Sequence, residues 1–139
     1  MNQEFYTWRK ESLQPIEIVP YTTLPIAKQI EEGLQNGTLK NKPQKCFNNS
    51  FWAAMTIPGV TYIEGYFKEV AEFEHAWCCY EGKYFDLTVD NESAYLKKIV
   101  LNRVELLSFM KESKTTGPFL YHYFQKNVLN ILDASSNEK

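Results

Sequence analysis

Three residues in the middle of this 139-residue chain, Cys46, His75 and Asp86, carry the side chains of a nucleophile, a base and a carboxylate that orients a base. Cys46 opens the run 46–55, whose apolar side chains recur at the spacing of one helix face, so the run predicts a buried helix. A thiolate at the start of a helix is stabilised by the helix dipole and by free backbone N–H groups. This placement predicts that Cys46 is a reactive thiol.

His75 and Asp86 lie on two strand-like runs, 74–80 and 83–89, joined by the turn Glu81-Gly82. A two-residue turn makes His75 and Asp86 diagonal neighbours on one sheet face, with Cβ atoms ~7 Å apart. A carboxylate at that distance binds the imidazole, fixes its tautomer and favours the imidazolium form. The sequence therefore predicts a Cys-His-Asp triad, and a three-residue turn would separate His75 from Asp86.

The run from Cys46 to Thr88 resembles the catalytic core of the transglutaminase-like superfamily, the smaller relatives of papain-like thiol enzymes. The resemblance covers about a third of the chain. The matching pieces, in order, are Cys46 with Ala53-Ala54, Pro58-Gly59-Val60, Gly65-Tyr66, His75-Ala76-Trp77, Gly82 and Phe85-Asp86-Leu87-Thr88. It implies an α+β fold of the papain/transglutaminase-like type, in which N-terminal helices, the cysteine helix among them, pack on a central antiparallel sheet with C-terminal helices.

The same resemblance implies a thiol mechanism with an oxyanion hole formed by the backbone N–H of Cys46 and a second donor. Gln44, two residues before the cysteine, is the first candidate for that donor. Asn48, Asn49 and Tyr66 are alternatives that spacing does not separate.

The remaining pattern predicts a single domain over residues 1–139 in the α+β class. The first twenty or so residues are expected to be irregular, apart from a short candidate edge strand between Pro15 and Pro20, and 134–139 to form a disordered tail. The other expected elements are a helix from Thr22 or Thr23 to Asn36-Gly37, a strand over 60–66, a strand over 95–101, a helix capped by Asn102 and Glu105 that ends near Glu112, and a last helix after Thr116-Gly117-Pro118.

Composition excludes several classes of partner. Fifteen Lys and Arg against seventeen Asp and Glu give a formal net charge of -2, so a nucleic-acid partner is not expected. The chain has neither a signal-peptide pattern nor an apolar run that spans a bilayer, and its three cysteines are an odd number, so we expect no membrane partner and a cytoplasmic protein with reduced thiols. No Cys/His cluster has the spacing of a zinc site, and no cofactor is expected.

The leading hypothesis is a thiol-dependent acyl hydrolase or transferase that acts on an amide of a protein or peptide, as a peptidase, amidase, isopeptidase or transglutaminase-type enzyme. Hydrolysis is favoured over transfer because water is always available. The alternatives are a catalytically silent module of the same fold that binds a protein or peptide, and a structural protein in which Cys46 only fills the core. Other conspicuous residues have simpler interpretations: Cys78 and Cys79 as strand residues, Trp77 as a core residue or a cleft wall beside His75, His122 as a surface or partly satisfied side chain, and Glu64 as either a site contact or a half-exposed strand residue.

Overall fold

Antiparallel strands form one sheet on which the helices pack, so the chain belongs to the α+β class. The structure is a computed structural model, and it describes residues 3–40, 42, 45–67, 74–87 and 95–129. The described helices are α1 (Gln3–Trp8), α2 (Ala27–Asn36), α3 (Cys46–Thr56), α4 (Arg103–Ser113) and α5 (Leu120–Tyr123), with a 3₁₀ turn at Tyr21–Thr23 and a π-helix at Phe124–Leu129. The described strands are β1 (Gln14–Ile16), β2 (Val60–Phe67), β3 (Glu74–Tyr80), β4 (Lys83–Phe85) and β5 (Tyr95–Leu101).

The spatial order of the strands is β1-β5-β2-β3-β4, and every strand pair is antiparallel. The predicted hairpin register is confirmed, since Tyr80 pairs with Lys83 and Cys78 pairs with Phe85. Both turn residues have positive φ, 49° at Glu81 and 80° at Gly82. A two-residue turn of this kind matches the right-handed twist of the strands it joins, which fixes the register.

The sheet buries both of its faces. The face toward α3 contributes Tyr62, Ala76 and Cys78 to the main core, and these pack with Phe51 and Ala54 of the helix. The opposite face carries a smaller cluster of Ile16, Ile63, Trp77 and Tyr95. Because side chains alternate along β3, His75 and Trp77 belong to one face while Ala76 and Cys78 belong to the other.

Several sequence predictions are confirmed. The cysteine helix begins at Cys46 and ends before Pro58-Gly59, and Gly37 closes α2 in the left-handed conformation with φ 84°. The run 95–101 is a strand rather than a helix. Asn102 caps α4 in a capping box, since its side chain accepts the Glu105 N–H and the Glu105 carboxylate accepts the N–H of Asn102.

The N-terminal prediction is wrong in part. Residues expected to be irregular include helix α1, whose Phe5 and Trp8 pack on the main core. The expected edge strand exists, but it spans Gln14–Ile16 and so includes Pro15. Pro15 is tolerated there because β1 lies at the edge of the sheet.

Three further boundaries differ from the prediction. Helix α2 begins at Ala27, because the preceding threonines form the 3₁₀ turn instead of a cap. Strand β4 ends at Phe85, and residues 88 and 89 of the predicted strand lie outside the described residues. The last helix is a single α-helical turn followed by the π-helix, and the expected disordered tail at 134–139 lies outside the described residues. Across the described ranges, the helices are all too short or too polar to cross a membrane.

Candidate active site

Cys46 is held at the first residue of α3, where that helix packs against β2 and β3. Among the six buried residues of α3, Phe51, Ala53 and Ala54 belong to the main core that joins the helix to the sheet. The residue before the helix, Lys45, makes no side-chain capping hydrogen bond. The first-turn N–H groups of a helix have no partner within the helix, so Cys46 lies at the positive end of the α3 dipole. The thiol residue is 7% exposed, so it is buried without being sealed from solvent.

His75 and Asp86 are hydrogen-bonded, as the hairpin register predicts. His75 Nε2 lies 2.6 Å from Asp86 Oδ2, and the two side chains are 6% and 1% exposed. The Cys46 side chain lies close enough to the His75 ring to raise the pKa of that ring. Since Asp86 occupies Nε2, the nitrogen left for the thiol is Nδ1. The structure thus brings all three predicted triad residues together.

His75 binds its proton more tightly than an ordinary histidine. Burial lowers its pKa, but the hydrogen bonds and negative charges of Asp86 and Cys46 outweigh burial and raise the pKa to about 9. At neutral pH the ring is therefore an imidazolium next to the thiol. An imidazolium beside a cysteine stabilises the thiolate, which is the form of the side chain that attacks a carbonyl.

Aromatic side chains enclose the His75 ring on the sheet face. The Phe67 ring lies 4.2 Å from it at 30°, the Trp77 ring stacks at 6.0 Å, and the Tyr95 ring lies edge-on at 5.8 Å. Gly65, which pairs with His75, leaves room for this arrangement, because a Cβ there would lie 2.8 Å from the Trp77 ring. Trp77, predicted to be a core residue or a cleft wall beside His75, lies in the smaller core cluster next to that ring.

Tyr95 is a site residue that sequence reasoning missed. Its hydroxyl donates to Asp86 Oδ2 at 2.6 Å, so one carboxylate oxygen accepts hydrogen bonds from both Tyr95 and His75. The strand that carries Tyr95 was predicted correctly, but its position in the sheet was not part of the prediction. Only the pairing of β5 with β2 brings this hydroxyl over the hairpin.

Glu64 is wholly buried, so the half-exposed interpretation is wrong. Its Oε2 accepts the Tyr62 hydroxyl at 2.6 Å and the backbone N–H of Phe119 at 2.6 Å. Burial raises the pKa of Glu64 to about 8, although these hydrogen bonds oppose the shift. The signal in the sequence was a carboxylate within an otherwise apolar strand, which marks a buried polar contact whose partner lies far along the chain.

The first candidate for the oxyanion hole, Gln44, lies outside the described residues. The backbone N–H of Cys46 remains the other expected donor, at the start of α3.

The alternative oxyanion donors have other positions or contacts. The Asn49 side chain donates to the backbone oxygen of Lys40 and accepts the N–H of Lys40 at 2.6 Å, so it fastens Lys40 to α3. Asn48 makes a 3.4 Å contact with Thr116. Tyr66 is wholly buried on the α3 face of the sheet.

The remaining thiols and the second histidine lie apart from this constellation. Cys78 is wholly buried on the α3 face, burial raises the pKa of its thiol, and Cys79 packs on the opposite face. His122 is partly buried and hydrogen-bonded to Glu112 at 2.8 Å. In the described part of the chain, no group of three or more histidine, cysteine or carboxylate side chains is arranged to hold a metal ion.

Comparison of the chain with protein-family models, with curated proteins and with solved structures finds no match in any of the three.

Proposed function

We propose that this chain is a thiol-dependent acyl hydrolase or acyl transferase that acts on an amide of a protein or peptide, with Cys46 as nucleophile. The observation that carries the proposal is the position of His75, whose ring is hydrogen-bonded to Asp86 Oδ2 and lies close enough to the Cys46 side chain for that side chain to raise the pKa of the ring. A base that is bound to a carboxylate and lies beside a thiol is the arrangement that nucleophilic catalysis by cysteine requires.

The proposed reaction begins with the thiol proton on His75. The Cys46 thiolate attacks the amide carbonyl, and a C–S bond forms while the carbonyl oxygen becomes an oxyanion. The oxyanion collapses, the C–N bond breaks, and the His75 imidazolium gives its proton to the leaving amine. Water or an amine then attacks the thioester while His75 takes its proton, and the C–S bond breaks to regenerate the thiolate–imidazolium pair.

Asp86 has an orienting role in this scheme. Its hydrogen bond fixes Nε2 of His75 as the protonated nitrogen and turns Nδ1 toward the sulfur. The α+β class and the start of a helix at the cysteine support, as a further proposal, the papain/transglutaminase-like arrangement that the motifs resemble. Hydrolysis and transfer use the same residues, and hydrolysis is our preferred assignment because water needs no second binding site.

The test is the rate at which each cysteine reacts with iodoacetamide near neutral pH, measured by mass spectrometry of the native protein. We expect Cys46 to be alkylated at least tenfold faster than Cys79, and Cys78 to react only on unfolding because it is wholly buried. His75→Ala removes the base and should slow alkylation of Cys46 by about tenfold or more.

Two matched variants control this experiment. Cys46→Ser should abolish the fast reaction, whereas Cys79→Ser should leave it intact. Equal rates at Cys46 and Cys79 in the folded protein, or a rate at Cys46 that His75→Ala does not change, would refute the proposal and favour the catalytically silent binding module.

A further inference from the structure

The Asp86 carboxylate is tied to two different strands through one oxygen atom. Oδ2 accepts a hydrogen bond from His75 Nε2 on β3 and another from the Tyr95 hydroxyl on β5, each at 2.6 Å. A carboxylate can only accept, so the phenol must donate to it. An O–H···O⁻ distance of 2.6 Å is in the range of a strong, charge-assisted hydrogen bond.

Tyr95 is rigidly placed for this contact. It is wholly buried at the first residue of β5, where it pairs with Ile16 on one side and Phe67 on the other. Its ring packs edge-on against Phe67 at 4.9 Å and against Trp77 at 5.0 Å. The hydroxyl therefore has almost no freedom to move.

Asp86 has less support from its own strand. β4 ends at Phe85, so the backbone of Asp86 lies beyond the ladder that fixes Lys83 and Tyr84. Its side chain is 1% exposed, so water contributes little to solvating the charge. A buried carboxylate needs hydrogen-bond donors to remain ionised, and fixed donors also determine its rotamer.

We propose that Tyr95 is a positioning residue whose hydroxyl holds the Asp86 carboxylate where it can orient His75 toward Cys46. This inference rests on the proposed thiol chemistry, since it assigns Tyr95 a part in the same site. The ring does not touch the reacting atoms in this scheme, and its effect reaches them only through Asp86 and His75.

The test is Tyr95→Phe, which removes one oxygen atom and keeps the packing ring. We expect a folded protein in which iodoacetamide alkylates Cys46 about five- to tenfold more slowly. In proton NMR, the low-field resonance of the His75 ring N–H bonded to Asp86 should move upfield, toward its position in Asp86→Asn. Tyr84→Phe is the matched control, because the Tyr84 hydroxyl accepts a hydrogen bond from Lys97 of β5 at 2.7 Å. It should change neither measurement.

A double-mutant cycle separates positioning from a general structural effect. If Tyr95 acts through Asp86, Tyr95→Phe should slow alkylation no further in an Asp86→Asn background. An undiminished effect in that background, or a folded Tyr95→Phe protein with the wild-type rate and resonance, overturns the inference.

Two further outcomes are distinguishable. If wild-type Cys46 reacts no faster than Cys79, the proposed function fails, yet the resonance still decides whether Tyr95 positions the Asp86–His75 pair. If Tyr95→Phe does not fold, 3-fluorotyrosine at position 95 keeps the packing and strengthens the donor. This substitution at position 95 must shift the resonance of the His75 ring N–H, while 3-fluorotyrosine at position 84 must leave it in place. An unshifted resonance with 3-fluorotyrosine at position 95 overturns the inference.

Discussion

His75 is buried and yet retains a proton at neutral pH, because two acidic partners raise its pKa to about 9. The Asp86 hydrogen bond is the largest of the contributions that raise it. We therefore expect Asp86→Asn, which keeps the shape of the side chain and removes its charge, to lower the His75 pKa by more than one unit. Alkylation of Cys46 at neutral pH should slow at the same time, though less than in His75→Ala.

Proton NMR of the histidine ring protons as a function of pH measures this shift. The chain has only two histidines, so His122→Gln assigns the spectrum and serves as the control. His122 bonds Glu112 at the surface, and its replacement should leave the His75 titration unchanged. A His75 pKa that stays near 9 in Asp86→Asn would show that Asp86 does not set the charge of the ring.

Residue type and local spacing predicted the site residues that lie within one hairpin or at the start of one helix. Cys46 follows from the apolar period of α3, and the pairing of His75 with Asp86 follows from the two-residue turn. Tyr95 and Glu64 could not be found in this way. Tyr95 meets Asp86 only because of the order of the strands in the sheet. Glu64 meets the N–H of Phe119, which lies 55 residues further along the chain.

At the scale of elements, the β2–β5 pairing is the part of the sheet that places the site. The register of this pair shifts between Glu64 and Gly65, which is a bulge. A Cβ at Gly65 would overlap the Leu96 carbonyl oxygen and lie 2.8 Å from the Trp77 ring. The absence of a side chain at Gly65 thus lets β5 and the indole approach His75 together.

We expect Gly65→Ala to lower the free energy of unfolding by roughly 3 kcal/mol, the upper end of the usual range for overpacking, because one obstacle is backbone. Urea unfolding measures the loss, and slower alkylation of Cys46 should accompany it in the folded fraction. Gly82→Ala is the control: a Cβ there meets no atom within 4 Å, and its φ of 80° should cost about 1–2 kcal/mol with no effect on the thiol. Equal losses in both variants would argue against the packing explanation.

The elements that sequence reasoning missed or misplaced depend on contacts made far along the chain. Helix α1 is only Gln3–Trp8 and carries little helical signal of its own, but Phe5 and Trp8 pack against Phe124 with ring centroids 5.6 and 5.4 Å apart. Local propensity identifies a long helix with a periodic apolar pattern more readily than a short helix that depends on tertiary packing for its stability.

For the whole molecule, the buried titratable groups lie on both faces of the sheet. His75 is on the face of Trp77 and Tyr95, whereas Glu64 binds Tyr62 in the main core and the N–H of Phe119 before α5. Glu64 thereby connects β2 to the C-terminal helical segment. Its protonation state should affect the stability of the entire fold rather than the reactivity of one thiol.

Both groups make stability fall as the pH rises. The folded-state pKa of Glu64 is raised from 4.5 to about 8. The protonated carboxyl therefore stabilises the fold fully below pH 4.5, and this stabilisation is lost as the pH rises through 8. The folded-state pKa of His75 is raised from 6.5 to about 9. The protonated ring therefore stabilises the fold fully below pH 6.5, and this stabilisation is lost as the pH rises through 9. The free energy of unfolding, measured with urea at a series of pH values, should therefore decrease between pH 5 and 9 by several kcal/mol.

Glu64→Gln isolates the contribution of the core carboxyl, because the amide keeps an oxygen acceptor for Tyr62 and Phe119 but cannot titrate. We expect its stability to change little between pH 5 and 6 and to fall at higher pH, as His75 loses its proton. Glu112→Gln is the matched control: bonds to Lys126 and His122 lower the pKa of Glu112 to about 2, so it is ionised throughout this range. That variant should reproduce the wild-type slope above pH 5. A wild-type slope retained in Glu64→Gln would mean that the core carboxyl is ionised at neutral pH and that Tyr62 and Phe119 bind a charge.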